Sequence, residues 1–258
     1  MFAVIFAVHP ASGKKADYLA LAKYLKPMLE KIDGFIDNER FESKSREGWV
    51  LSLSTWRDEK AVVRWRTLGE HHCVQEKGRS EIFDDYHLRV GEVTADTQLP
   101  TGVSIEEKRF DETRIGASRL CTITEISPVG NAMPAEIVAV LPARLGLDGA
   151  SVGLIRVEVF ESITNPGKLL LLADWKDART ADAWGPTSFV GIASLRHRHV
   201  RVIRVYGMYQ RDEAPQFYPN VGNASRRGDE SDTGPERQEL GGSRALPGPP
   251  EPGLSSYK

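Results

Sequence analysis

Apolar and polar positions change period along the chain, and each change predicts an element. Residues 2–8 (FAVIFAV) form an apolar, β-rich run, which predicts a buried strand. Tyr18, Leu21, Leu25, Met28 and Leu29 then recur at helical spacing, with Ser12 as candidate N-cap and Gly34 just past the end. Pro27 is expected to break or kink this helix near its last turns. Residues 35–43 and 49–57 read as strands joined by the hairpin loop KSREG. Asp58 is placed to cap a helix through about Leu68, and 70–79 reads as a further helical turn or two. Residues 83–90 close the block as a strand. The order β-α-β-β-α-β is the ferredoxin-like motif, an antiparallel sheet with helices on one face.

The same pattern is then written again. Residues 35–65 fall on residues 154–184 without a gap. ERFES (Glu39 to Ser43) meets EVFES (Glu158 to Ser162), Gly48 meets Gly167, Trp56 meets Trp175, Asp58 meets Asp177 and Trp65 meets Trp184. Upstream, Gly34 meets Gly153. A period this long means two copies of a domain rather than a solenoid of short repeats. The second copy predicts strands at 120–126, 151–162, 168–176 and 199–209, with helices at 134–144 and from Asp177. Pro142, Gly146, Gly185 and Pro186 interrupt its helical segments. Each glycine costs about 1 kcal/mol and each proline about 3 kcal/mol in a helix interior, so shorter helices are expected there. The division is therefore residues 1–92, a linker at 93–118, a diverged copy at 119–211 and a tail at 212–258. VSIEEKRFD in the linker alternates and predicts an extra edge strand. The tail, rich in Gly, Pro, Ser and charge, predicts disorder; its GPPEP could serve as a polyproline ligand or be plain solvated chain.

Composition narrows the function classes. Over 258 residues the net charge is -2, so no global basic field points to nucleic acid. Cys73 and Cys121 are far apart and outside CxxC spacing, which predicts a reduced, cytoplasmic chain without a zinc site or disulfide framework. The apolar start is too short for a membrane span and has no basic residue before it, and no other segment approaches the roughly 20 apolar residues a span needs. P-loop, dinucleotide, GxSxG and HExxH fingerprints are absent from the sequence.

KIDGFIDNERFES, LSLSTWRDEKAVVRW and FDDYHLRVGEV make residues 1–92 resemble the antibiotic biosynthesis monooxygenase family, and EVFES…NPGKLLLLADWKD is a weaker version in the second copy. The resemblance implies a dimeric α+β barrel, two ferredoxin-like sheets packed face to face. Here both halves come from one chain, an internal pseudo-dimer that is still free to pair as a homodimer. It also implies oxygenation of a small aromatic, quinol or anthrone-like compound by molecular oxygen, with no metal, haem or flavin cofactor. A base removes a substrate proton and the substrate supplies the electrons. The alternative is a non-catalytic tandem barrel that binds a small molecule or a protein partner. Haem degradation fits poorly: the first strand has no asparagine, and Gln75 and Ser194 stand where such relatives carry the axial histidine.

The site is expected between helices and sheet of the first copy. His71 and His72 are the candidate catalytic bases, because histidine titrates near neutrality. Neighbours on a helix point about 100° apart, so at most one of them faces the cavity. Trp65 either stacks on a flat ligand or anchors the core. Trp56, Tyr86, Asn38 and Arg40 are further candidate substrate contacts, with Arg40 or Asn38 placed to steady an oxyanion. His197 and His199 have the i,i+2 spacing of a strand. Without a carboxylate or cysteine cluster in sequence they read as a solvated basic edge rather than a metal site.

Overall fold

The structure, a computed structural model, describes residues 1–216. Eight antiparallel strands close into a barrel: β1 (Phe2–Pro10), β2 (Phe35–Ser43), β3 (Val50–Trp56), β4 (Phe83–Asp96), β5 (Leu120–Pro128), β6 (Leu154–Ser162), β7 (Leu169–Trp175) and β8 (Ile192–Gly207). Around the barrel the order is β1-β3-β2-β6-β7-β5-β8-β4. Each half is thus a ferredoxin-like sheet, β4-β1-β3-β2 or β8-β5-β7-β6. The expected α+β architecture, with two tandem ferredoxin-like copies forming one barrel, is the one observed.

The halves meet at two seams. β4 and β8 pair along most of their length, from His87↔Gly207 to Asp96↔Arg198. β2 and β6 pair only through the repeated motif: Phe41↔Ser162, Glu42↔Glu161 and Ser43↔Phe160. The contacts there are reciprocal. Ser43 Oγ donates to Glu158 at 2.6 Å, and Ser162 Oγ donates to Glu39 at 2.6 Å. The recurrence of FES therefore builds the joint between the copies.

Two repeat-related features explain how each copy turns. Asp58 and Asp177 both cap the helix after the third strand, accepting from Ala61 N at 2.8 Å and Thr180 N at 2.9 Å. Gly34 and Gly153 both enter the second strand with positive φ, 91° and 80°. A Cβ on Gly34 would lie 2.7 Å from that of Ala61, so both the backbone angle and the close helix–strand approach require glycine.

The barrel interior is apolar at its centre, where Ile5, Phe41, Leu51, Ile123, Phe160 and Leu172 pack together. Ion pairs lie beside that centre: Arg89 with Asp174, and a chain from Arg198 through Glu125 and Lys168 to Glu39. The outer faces carry the helices α1 (Lys15–Leu29), α2 (Glu59–Arg66), α3 (Gly69–Lys77), α4 (Ala135–Ala139), α5 (Leu141–Arg144) and α6 (Ala178–Asp182), plus a π-helical turn at Gly78–Ile82. None is long and apolar enough to cross a membrane. The second copy's helices are short, as its glycines and prolines predict.

Several expectations need correction. The first helix starts at Lys15 with Lys14 as N-cap, not Ser12, and it runs through Pro27 to Leu29 because the proline falls in the last turn. VSIEEKRFD forms no strand: the closed barrel offers no free edge, and Lys108 and Arg109 donate their backbone N–H groups to the buried Glu92 carboxylate at 2.8 and 2.9 Å. Val103 and Ile105 of this segment pack against the barrel core. His197 and Arg198 are buried and His199 is nearly so, and hence they are not a solvated edge. Residues 212–216 make specific contacts, with Glu213 accepting from Thr113, Arg114 and Val205. The rest of the expected tail lies outside the described residues.

Candidate functional site

Between α1, α2, α3 and the outer face of the first sheet lies a cavity of about 200 Å³. Strand alternation builds its floor. Val4 and Phe6 of β1, Asn38 and Arg40 of β2, Ser52 and Ser54 of β3, and Tyr86, Leu88 and Val90 of β4 all face the helices. Their strand neighbours, such as Ile5, Phe41 and Leu53, face the barrel interior. Tyr18, Leu21 and Leu25 of α1 and Trp65 and Arg66 of α2 supply the outer wall.

His71 and Trp65 form its most organised corner. Their rings stack with centroids 4.0 Å apart and planes 18° from parallel. His71 Nδ1 lies 3.0 Å from the Trp65 carbonyl. A carbonyl only accepts, so Nδ1 carries the proton and Nε2 keeps its lone pair. Burial is the main influence on this imidazole and pushes its pKa down to about 4, against the raising effect of the Trp65 carbonyl. At neutral pH His71 is an uncharged base.

The other expected residues divide. Asn38, Arg40 and Tyr86 line the cavity with Trp65 and His71, whereas His72 and Trp56 do not. His72 lies on the outer side of α3, 3.4 Å from Glu76. Trp56 is wholly buried in the core, edge-on to Phe35, its Nε1 donating to Ser54 at 2.9 Å. Asn38 spends its amide on Ser52 Oγ and the Leu53 carbonyl, both at 3.0 Å. The Tyr86 hydroxyl accepts from Arg79 at 2.5 Å and from Arg211 at 2.8 Å. Of the two expected oxyanion partners, Arg40 is the one whose donors are not committed in this way.

Sequence reasoning missed that the second half completes this cavity. Arg204 and Tyr206 of β8 line it, as do Arg211, Pro215 and Gln216 beyond the strand. Gln216 Nε2 donates to the Arg66 carbonyl at 3.3 Å, and Arg211 donates to the Gln216 carbonyl at 2.9 Å, so this segment lies across the helices. The i,i+2 spacing of Arg204 and Tyr206 is visible in sequence, but the β4–β8 pairing that gives it meaning is not.

Where the second copy places Trp184, the equivalent space is filled. Leu141, Leu145, Leu147, Trp175 and Trp184 cluster there with little or no exposure. Trp184 Nε1 donates to the Leu145 carbonyl at 3.3 Å, and its ring lies 6.0 Å from that of Trp175. A cleft of about 450 Å³ stays open between α4 and β6, lined by Val157 and Val159 where the first copy has Asn38 and Arg40; it borders Glu158, a carboxylate already held by Ser43 and Arg46. Among the described residues no three or more His, Cys, Asp or Glu side chains gather as a metal site.

The fold is a closed barrel of two fused ferredoxin-like halves, and the first half keeps a histidine-bearing, largely apolar cavity on its helical face. The family model for antibiotic biosynthesis monooxygenases matches residues 1–77. The chain is 41% identical over 224 residues to the Jasmonate monooxygenase ABM of Pyricularia oryzae, covering 85% of this chain and 99% of that one. The chain belongs to the antibiotic biosynthesis monooxygenase family. It is also 29% identical over 92 residues to an uncharacterized Bacillus subtilis protein, covering 36% of this chain and 78% of that one. In fold it is similar to an aldoxime dehydratase, with TM-score 0.51 and 12% identity over 80% of this chain and 83% of that one.

Proposed function

We propose that the protein is a monooxygenase that oxygenates a small cyclic, aromatic or quinol-like compound in the first-copy cavity. The reaction begins by proton abstraction at His71 Nε2 and requires no cofactor. The observation that carries this reading is the cavity in which Trp65 and His71 stack, at the place where the second copy packs Trp184 against Leu145 and Trp175. The jasmonate specificity in the name of the Pyricularia relative supports a small cyclic substrate.

The chemistry has a quantitative constraint. Proton transfer from a phenol-type group of ordinary pKa about 10 to an imidazole at about 4 is uphill by roughly 8 kcal/mol. The arginines on the cavity wall lower that barrier by stabilising the enolate or carbanion as it forms. The carbanion then reduces oxygen to a bound peroxide. Loss of water leaves one oxygen atom on carbon as a carbonyl and the other in water, so the substrate's C–H electrons supply the reduction. The test is oxygen uptake with a panel of quinols, anthrones and jasmonate. His71→Ala is expected to abolish it and His72→Ala to leave it within about twofold. Equal loss in both variants, or uptake unaffected by His71→Ala, refutes the assignment of the base.

A further inference from the structure

We infer that the side of this cavity formed by Tyr18 and Arg40 is an anion subsite, built to hold the carboxylate of an otherwise apolar substrate. The inference rests on reading the cavity as the ligand site and names the charge its ligand carries. Buried polar atoms without partners are rare in folded proteins, and each calls for an explanation. Among the described residues such side-chain atoms are Tyr18 OH, Arg40 Nε, Arg66 Nε and Arg198 Nε. Three of the four line this one cavity; Arg198 is the exception. Tyr18 is only 6% exposed, so its hydroxyl has no route to water as a substitute partner.

Charge points the same way. Arg40, Arg66, Arg79, Arg204 and Arg211 line the cavity. The acid among its lining residues, Glu59, is paired with Arg109 at 2.7 Å. The walls between these groups are apolar: Val4, Phe6, Leu21, Leu25, Leu88 and Val90. A chamber of apolar walls with cationic donors among them matches an amphiphilic anion. The planar fork of arginine favours a carboxylate, which it can hold by two parallel hydrogen bonds. The Arg40 guanidinium also lies 6.0 Å from the centre of the Tyr18 ring, so one anion can reach both.

The test uses an isosteric pair, 1-naphthaleneacetate and its uncharged amide, with calorimetric binding to the full chain at pH 7. The wild type is expected to bind the acid about tenfold or more tightly than the amide. Arg40→Gln is expected to erase that preference by weakening acid binding about tenfold or more. Tyr18→Phe is expected to weaken acid binding with the thermal midpoint of the free protein unchanged or raised, because its hydroxyl satisfies nothing in the free fold. Equal binding of acid and amide, or a preference that survives Arg40→Gln, overturns the subsite. Tighter, Arg40-dependent binding of 1-naphthyl phosphate also overturns it, in favour of phosphate esters. Acid preference without oxygen uptake on the quinol panel leaves the subsite standing and removes the oxygenase reading. Uptake without acid preference does the reverse.

Discussion

Lowering the pH from 7 to 5 is expected to destabilise the fold through His71 in particular. Its folded pKa is pushed down to about 4 by burial, from an ordinary 6.5. Above pH 6.5 the imidazole is neutral in both states and the fold has its full stability. As pH falls below 6.5 the unfolded chain takes up a proton that the folded chain refuses, and the loss continues until about pH 4. Integrated between pH 7 and 5, this costs about 2 kcal/mol. His197 is also driven to about 4, by burial first and by neighbouring His199 second, and adds about 2 kcal/mol more. Urea unfolding of wild type and His71→Gln at both pH values isolates the first contribution, since all other acid effects are common to the two proteins. The variant is expected to lose about 2 kcal/mol less than wild type on acidification. Equal losses in the two proteins, within about 0.5 kcal/mol, would refute the claim that the fold holds His71 as a neutral base.

Other consequences are equally direct. The acid limb of kcat/KM is expected near pH 4 rather than 6.5, because His71 is a working base until it protonates. Trp184→Ala is expected to cost about 3–5 kcal/mol in chemical denaturation, and Trp65→Ala less, because Trp184 is packed in a filled core while Trp65 borders a cavity. Asp174→Asn leaves the buried Arg89 without its ion-pair partner and is expected to cost about 3–5 kcal/mol, read from the same curves. Gly34→Ala combines a left-handed backbone angle with a clash on Ala61 and is expected to lower the melting temperature, where the same change at solvent-facing Gly69 does not.

Much of the fold was legible because the local signals agreed with the global one. The bounds of β2, the aspartate caps and the paired glycines were all in the sequence, and duplication supplied a second reading of each. β8 was misjudged because IASLRHRH looks polar enough for solvent. In a closed barrel both faces of a strand are covered, and these cations find buried partners: Arg196 pairs with Asp96 and Arg198 with Glu125. Such pairing is non-local and leaves no trace in periodicity. The cavity was half legible for the same reason. Trp65, His71, Asn38, Arg40 and Tyr86 lie within one copy, while Arg204, Tyr206 and Arg211 arrive from the other side of a seam. The choice between His71 and His72 depended on the rotation of α3, which that helix's weakly patterned GEHHCVQEK does not specify.

The joint of Glu39 and Ser43 with Glu158 and Ser162 places the two halves as a symmetric dimer would place two subunits, yet both halves belong to one polypeptide. In a dimer of identical chains every substitution is made twice, and a cavity cannot be closed on one side without being closed on the other. Fusion removes that constraint. One half was free to pack leucine against Trp184 where the other keeps Trp65 beside His71, and to lend Arg204 and Tyr206 to its neighbour. The tether also makes the encounter of the halves independent of protein concentration, so the barrel can assemble at dilutions where separate subunits would part.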